Sequence, residues 1–160
     1  EIERVLTQFG GAFGGAAGPI RAVAARTCDL MRVAARVAEI RAVIPSRVTI
    51  GVSGDASAAA GLNAGCDAWY SVIAGTIPAT ALAISRPALA GDAASATEES
   101  ARLQPLWDLF AEFGGSFRVV ATIAEVLGLV QADSMPRPLL PLPAAGRDRV
   151  GRVVAELGLS

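Results

Sequence analysis

Histidine and lysine are both absent from this chain: all 14 of its cationic side chains are arginine. Without histidine there is no imidazole to serve as a general base near neutral pH or as a metal ligand. Without lysine there is no side-chain primary amine, so imine chemistry has no lysine nucleophile here. Cysteine is scarce. Cys28 and Cys66 stand alone with no CxxC, which excludes a disulfide framework and reads as two free thiols in a reducing compartment. Aromatic residues make up 5% of the chain against 52% hydrophobic overall, so the apolar content is mostly Ala, Val and Leu. That composition suits closely packed helices around a buried parallel sheet better than a sandwich. The net charge of −1 carries no long run of either sign, and no electrostatic footprint for nucleic acid is visible.

A leader with a basic n-region and an apolar h-region is not apparent, and the chain opens on Glu1 instead of Met. The expectation is a cytoplasmic protein, processed, trimmed or taken from something longer. Ala68–Ser85 runs for 18 residues without a charge, the lower bound for a spanning helix. Ser71, Gly75, Thr76, Pro78 and Thr80 interrupt it, so strand plus helix is the better reading and no membrane is expected.

What is there is organised around Ser46–Thr80. Val48, Ile50 and Val52 form a short apolar run that stops at Ser53-Gly54-Asp55; a small-residue segment follows, then a second run that stops at Gly75 and Pro78. Strand, turn, short helix, strand, turn, helix is the repeat of a parallel sheet wrapped by helices. Chemistry in such sheets collects at the carboxyl ends of the strands, which directs attention to Ser53-Gly54-Asp55 and to Ser71–Thr76.

Upstream, residues 1–9 read as the end of an amphipathic helix, 10–18 as a Gly/Ala connector without a P-loop pattern, and Ile20–Ala24 as a strand. Asp29 is a candidate cap for a helix over Leu30–Val43, with Leu30, Val33, Val37, Ile40 and Ile44 on its apolar stripe and Arg32, Arg36 and Arg41 on a solvated face. Downstream, Asp92 and Ser95 open a capped helix whose apolar side is Leu103, Leu106, Trp107, Phe110 and Phe113, kinked at Pro105. Trp107 reads as core or subunit contact. Gly114-Gly115 ends that helix; Phe117–Leu129 reads as another, the segment from Pro136 as an extended crossing, and Ala144–Leu157 as a final helix.

The tract SGD with its Ala-rich helix, then NAGCDAWYSVIAGTIPA, ALAGDAASATEESARLQPLWDLF and PRPLLPL, resembles in order the carboxy-terminal half of the dihydrodipicolinate synthase/N-acetylneuraminate lyase family. The resemblance implies an α/β fold, a partial (β/α)8 TIM barrel comprising strands six to eight with a carboxy-terminal helical extension. Residues 1–91 would be the barrel part and 92–160 the extension. Strand six would be Ile20–Ala24, strand seven Val48–Ser53 and strand eight Ala68–Ile73. The family consists of pyruvate-dependent class I aldolases and lyases, in which a strand-six lysine forms a Schiff base with pyruvate or another 2-oxo acid. On that resemblance Gly54 matches the glycine beside the bound pyruvoyl group, Tyr70 matches the position whose backbone carbonyl faces the Schiff base, and Ser71 follows it. No metal or other cofactor is implied, since the imine is the electron sink.

The departures from the family pattern are as informative. Keeping Asp29-Leu30 in register puts Ala24 at the Schiff-base position, and an alanine forms no imine. Strands one to five, with the carboxylate-binding Thr pair and the proton-relaying tyrosine of the family, have no counterpart. A whole barrel of this type needs about 250 residues. Three strands alone leave two open edges, so pairing with copies of itself or with a missing amino-terminal half is expected. Two functions follow: one part of a pyruvate-dependent lyase that is inactive alone, or a non-catalytic half-barrel serving as a structural or regulatory partner. Asp55 reads as a helix cap whose loss would cost about 1 kcal/mol.

Overall fold

The computed structural model describes residues 22–25 and 32–160. The expectations for residues 1–18, Ile20, Cys28, Asp29 and Leu30 lie outside the described residues. Two compact units are present, one ending at Tyr70 and the other beginning at Ser71.

The first unit is a βαβαβ run: β1 (Ala22–Ala25), α1 (Val33–Val43), β2 (Thr49–Ser53), α2 (Ala58–Asn63) and β3 (Ala68–Tyr70). The strands form one parallel sheet with β2 in the middle. Ala24 stands opposite Gly51 on β2, and Gly51 stands opposite Ala68 on β3. Alternation along β2 sends Ile50 and Val52 into the core, where β-branched side chains pack well on a pleated surface. Val33, Val37, Ile40 and Ile44, spaced by three and four, are the buried face of α1. The chain leaves α1 at Pro45, as the sequence predicts. Leu62, Ala58 and Ala59 bring α2 onto the same core. The fit there is tight: a Cβ on Gly61 would come within 2.5 Å of the Val52 side chain, so α2 reaches the sheet only because residue 61 lacks one.

The expected strand over Ala68–Ile73 is shorter in the structure. β3 stops at Tyr70 and residues Ile73–Gly75 form a 3₁₀ turn. The cause is local, since the Ala74 N–H donates to Ser71 Oγ at 3.0 Å and a side-chain acceptor in place of a ladder partner turns the backbone.

The second unit is helical: α3 (Pro78–Leu89), α4 (Ala93–Arg102), α5 (Gln104–Glu112), α6 (Ser116–Val126) and α7 (Ala144–Leu157). Pro78 lies in the first turn of α3, where its missing N–H costs nothing. Asp92 caps α4, accepting from the Ser95 N–H at 3.1 Å. The single kinked helix expected over Asp92–Phe113 is instead two helices meeting at Leu103. Pro105 has no N–H to give and fits the first turn of a new helix better than the middle of an old one. Leu103, Leu106, Trp107, Leu109, Val119, Ile123, Val150 and Val154 are the shared core of these helices. Trp107 is buried as expected, its indole N–H donating to the Ser100 carbonyl at 2.9 Å. Glu125 is ion-paired with Arg147, tying α6 to α7, and also accepts from the Asp133 N–H at 3.1 Å. Arg118 donates to the Leu140 and Pro141 carbonyls at 2.9 and 3.1 Å, holding the extended crossing segment along α6. Among the described residues no helix is long and apolar enough to cross a membrane.

Alanine is the better helix former, yet Gly61→Ala is expected to destabilise the protein by about 1–3 kcal/mol, because its methyl overlaps Val52 where neither backbone can retreat. Urea denaturation measures this; an unchanged or raised midpoint would contradict the close packing of α2 on β2.

Candidate functional site

The carboxyl ends of β2 and β3 are where the parallel topology concentrates its loops, and the register of those strands is set by Asp67. The Ile50 N–H donates to Asp67 Oδ2 at 2.7 Å, and the Asp67 N–H returns a bond to the Ile50 carbonyl, also 2.7 Å. Arg41 completes the clamp. Its guanidinium meets the same carboxylate oxygen at 2.7 Å and donates to the Gly65 and Val48 carbonyls at 3.2 and 3.3 Å. Arg41, part-exposed and off the apolar stripe, therefore also ties α1 to the segments that lead into β2 and β3. The periodicity of α1 places it off the apolar stripe, and only a partner 26 residues away along the chain gives it this role. The Arg41 hydrogen bond and, after it, the Ile50 N–H hold the Asp67 carboxyl below its ordinary range. Next to it, Cys66 is buried, and burial first and the Asp67 charge second push its thiol up, away from thiolate chemistry.

Beyond this clamp lie the residues singled out from sequence. Ala24 is in β1, opposite Gly51. Gly54 follows β2 with φ of 98°, a left-handed conformation that strains any residue with a Cβ, and its carbonyl accepts from the Ser57 N–H at 3.0 Å. Tyr70 closes β3, opposite Ser53. Ser71 opens the second unit, and its hydroxyl is engaged by the Ala74 N–H. Ala24, Gly51 and Tyr70 are thus brought onto neighbouring strands of one sheet, with Gly54 just past the end of β2.

Asp55 departs from its expected role. Gly54, not Asp55, is the residue before the 3₁₀ turn Asp55–Ser57, Ser57 precedes α2, and neither segment has a side-chain cap. Asp55 is instead buried, at 4% exposure, with Oδ1 accepting from the Trp69 indole N–H at 3.1 Å. The bond crosses from the end of β2 to β3, so Asp55 and Trp69 brace the two strands at their carboxyl ends.

Sequence reasoning missed Gly51. Tyr70 lies across it: a Cβ on Gly51 would sit 2.7 Å from the tyrosine Cζ and 3.0 Å from its hydroxyl oxygen. The signal was present, since a glycine inside the strand TIGVS marks a place where something approaches the backbone closely. Among the described residues there is no group of three or more His, Cys, Asp or Glu side chains able to hold a metal ion.

Comparison with known proteins agrees with this fold. The profile of the Dihydrodipicolinate synthetase family matches residues 22–157. A solved dihydrodipicolinate synthase from Agrobacterium tumefaciens str. C58 is 40% identical and superposes with a TM-score of 0.80 over 89% of this chain and 47% of its own. The dihydrodipicolinate synthase of Thermotoga maritima shares the fold at 18% identity, with a TM-score of 0.77 over 98% of this chain and 52% of its own. A chloride-inhibited dihydrodipicolinate synthase from Acinetobacter baumannii, complexed with pyruvate, does so at 20% identity and a TM-score of 0.73 over 91% and 48%. The chain thus spans about half the length of the solved relatives it matches. No curated protein matches its sequence.

Two outcomes test the site's framework. Asp67 has a lowered folded-state pKa, so its contribution to stability is complete above the ordinary aspartate value of about 3.9 and is lost as pH falls through the lower folded value. Urea midpoints taken from about pH 6 down to about pH 2 should fall more steeply for the unaltered protein than for Asp67→Asn; parallel curves would contradict the clamp. Asp55→Ala should cost about 1–3 kcal/mol and alter tryptophan emission, because the Trp69 N–H loses its acceptor; unchanged melting and emission would contradict the brace.

Proposed function

The chain belongs to the Dihydrodipicolinate synthetase family, and from that premise we propose that it is the strand-six-to-eight portion of a pyruvate-aldolase barrel that has lost its amine. In this reading β1, β2 and β3 correspond to the sixth, seventh and eighth strands of the barrel. Residues 1–91 are its carboxy-terminal part and 92–160 the helical extension. The mouth at Gly54 and Tyr70, once the barrel is complemented, takes pyruvate or another 2-oxo acid; the Acinetobacter relative is complexed with pyruvate.

The observation that carries this reading is the row Ala24–Gly51–Ala68 across the sheet. Ala24 stands where the family's lysine would form the Schiff base. Imine formation requires an amine lone pair to attack the keto carbon, with loss of water; a methyl group offers none, and no other lysine exists in the chain to substitute. Losing a covalent nucleophile removes orders of magnitude in rate even where binding survives. The chain alone is therefore inert as an aldolase. Among the described residues β1 and β3 are the edges of the sheet, which favours a complement, either copies of the same chain or an amino-terminal half, in a cytoplasmic setting without nucleic acid or membrane. A second reading, a non-catalytic half-barrel acting as a structural or regulatory partner, is favoured by the same alanine.

The test is borohydride trapping. Incubation with pyruvate and borohydride followed by intact-mass measurement should show no adduct on the side chains of this protein. A mass gain mapped to an internal residue would overturn the assignment of Ala24 and restore the catalytic reading.

A further inference from the structure

The family reading assigns only the backbone carbonyl of Tyr70 and leaves its side chain unused. Its ring reaches back from the end of β3 over the middle strand, so that Cε2, Cζ and the hydroxyl all lie over Gly51. Register places Ala24 and Ala68 on either side of that glycine. Small residues at all three positions leave the row without a side-chain donor of its own, and the tyrosine brings one in from two residues farther along β3. The residue is 46% exposed, so the phenol is seated on backbone yet open to a ligand.

The seat is also braced. Successive residues of a strand point to opposite faces, so Trp69 projects away from Tyr70, and its indole N–H is held by buried Asp55 at 3.1 Å. The backbone that carries Tyr70 is thus anchored on one face by Trp69–Asp55, and on the other the bare backbone of Gly51 leaves room for the ring. An accessible donor carried on an anchored strand suits the binding of a small anion, because less conformational freedom remains to be lost there.

We propose that Tyr70, seated on Gly51, is the ligand-binding side chain of this mouth and donates its phenol hydroxyl to the carboxylate of a small 2-oxo acid. The inference rests on the reading that the mouth takes a 2-oxo acid. It adds that, in a chain without the amine, a side chain and not a covalent bond holds the ligand. Gly51 is then a positioning residue, because any Cβ there displaces the ring.

Tyr70 is the sole tyrosine of the chain, so ring-labelled tyrosine gives a single reporter. The 160-residue chain, labelled in this way, is titrated with pyruvate while binding is followed independently by ligand-observed saturation transfer. The expected result is a saturable shift of the Tyr70 ring signals, with pyruvate binding about 10-fold or more weaker in Tyr70→Phe, as for loss of a hydrogen bond to a charged group. Gly51→Ala should show the same weakening with the hydroxyl still present. Equal pyruvate affinity in the unaltered chain and in Tyr70→Phe would overturn the role of the phenol and leave the 2-oxo acid reading intact. Absence of any pyruvate binding to the unaltered chain would overturn both. Tyr70→Phe removes one oxygen from a half-exposed ring, so its result does not depend on Gly51→Ala folding.

Discussion

One carboxylate decides how this sheet is assembled. Asp67 accepts from the Ile50 N–H, returns its own N–H to the Ile50 carbonyl, and is held by Arg41 from α1. A parallel pair is sensitive to register, because a slip of one residue carries every side chain to the other face. With Asp67 against Ile50, Gly51 must face Ala68 and Ser53 must face Tyr70. The placement of the tyrosine ring over the glycine follows from that register, as does the approach of Trp69 to Asp55. Ion pairs this exposed contribute little on their own. The same oxygen also accepts a backbone N–H, and that bond makes the interaction specific to one register.

From this constraint the site acquires an unusual balance. The framework of a mouth is present: a left-handed glycine after the middle strand, a buried carboxylate bracing an indole, and a phenol seated on bare backbone. The covalent nucleophile that the Dihydrodipicolinate synthetase family leads one to look for is not. Positioning and chemical reactivity are separable properties of a fold. The helices from Pro78 onward have their own core around Leu103, Leu106, Trp107 and Ile123, with polar ties at Arg118 and Glu125.

Much of this was legible in the sequence where a local rule applies. The 3.6-residue spacing of Val33, Val37, Ile40 and Ile44 marked the buried face of α1, Asp92 announced the start of α4, and Ala144–Leu157 ran as read. The illegible parts depend on partners distant in sequence or on competition between local rules. Arg41 reads as a solvated charge until Asp67 is folded against it, and Asp55 reads as a cap until Trp69 reaches it. The strand ending at Tyr70 was overestimated because Val72 and Ile73 are good strand formers, whereas Ser71 offers its hydroxyl to Ala74 and turns the chain. Gly51 carried a signal of close approach, but nothing in the sequence says that the approaching group is Tyr70.

The central claim is that β1 pairs with β2 in the register that puts Ala24 opposite Gly51. Residue-resolved amide hydrogen exchange on the 160-residue chain measures that pairing directly. Slow exchange should be found at the interior of β2 and at the β1 amides that the ladder engages. Amides of residues 22–25 exchanging at the rate of an unstructured peptide, while β2 and β3 remain protected, would remove Ala24 from the sheet. The proposal that an alanine stands in place of the amine would go with it.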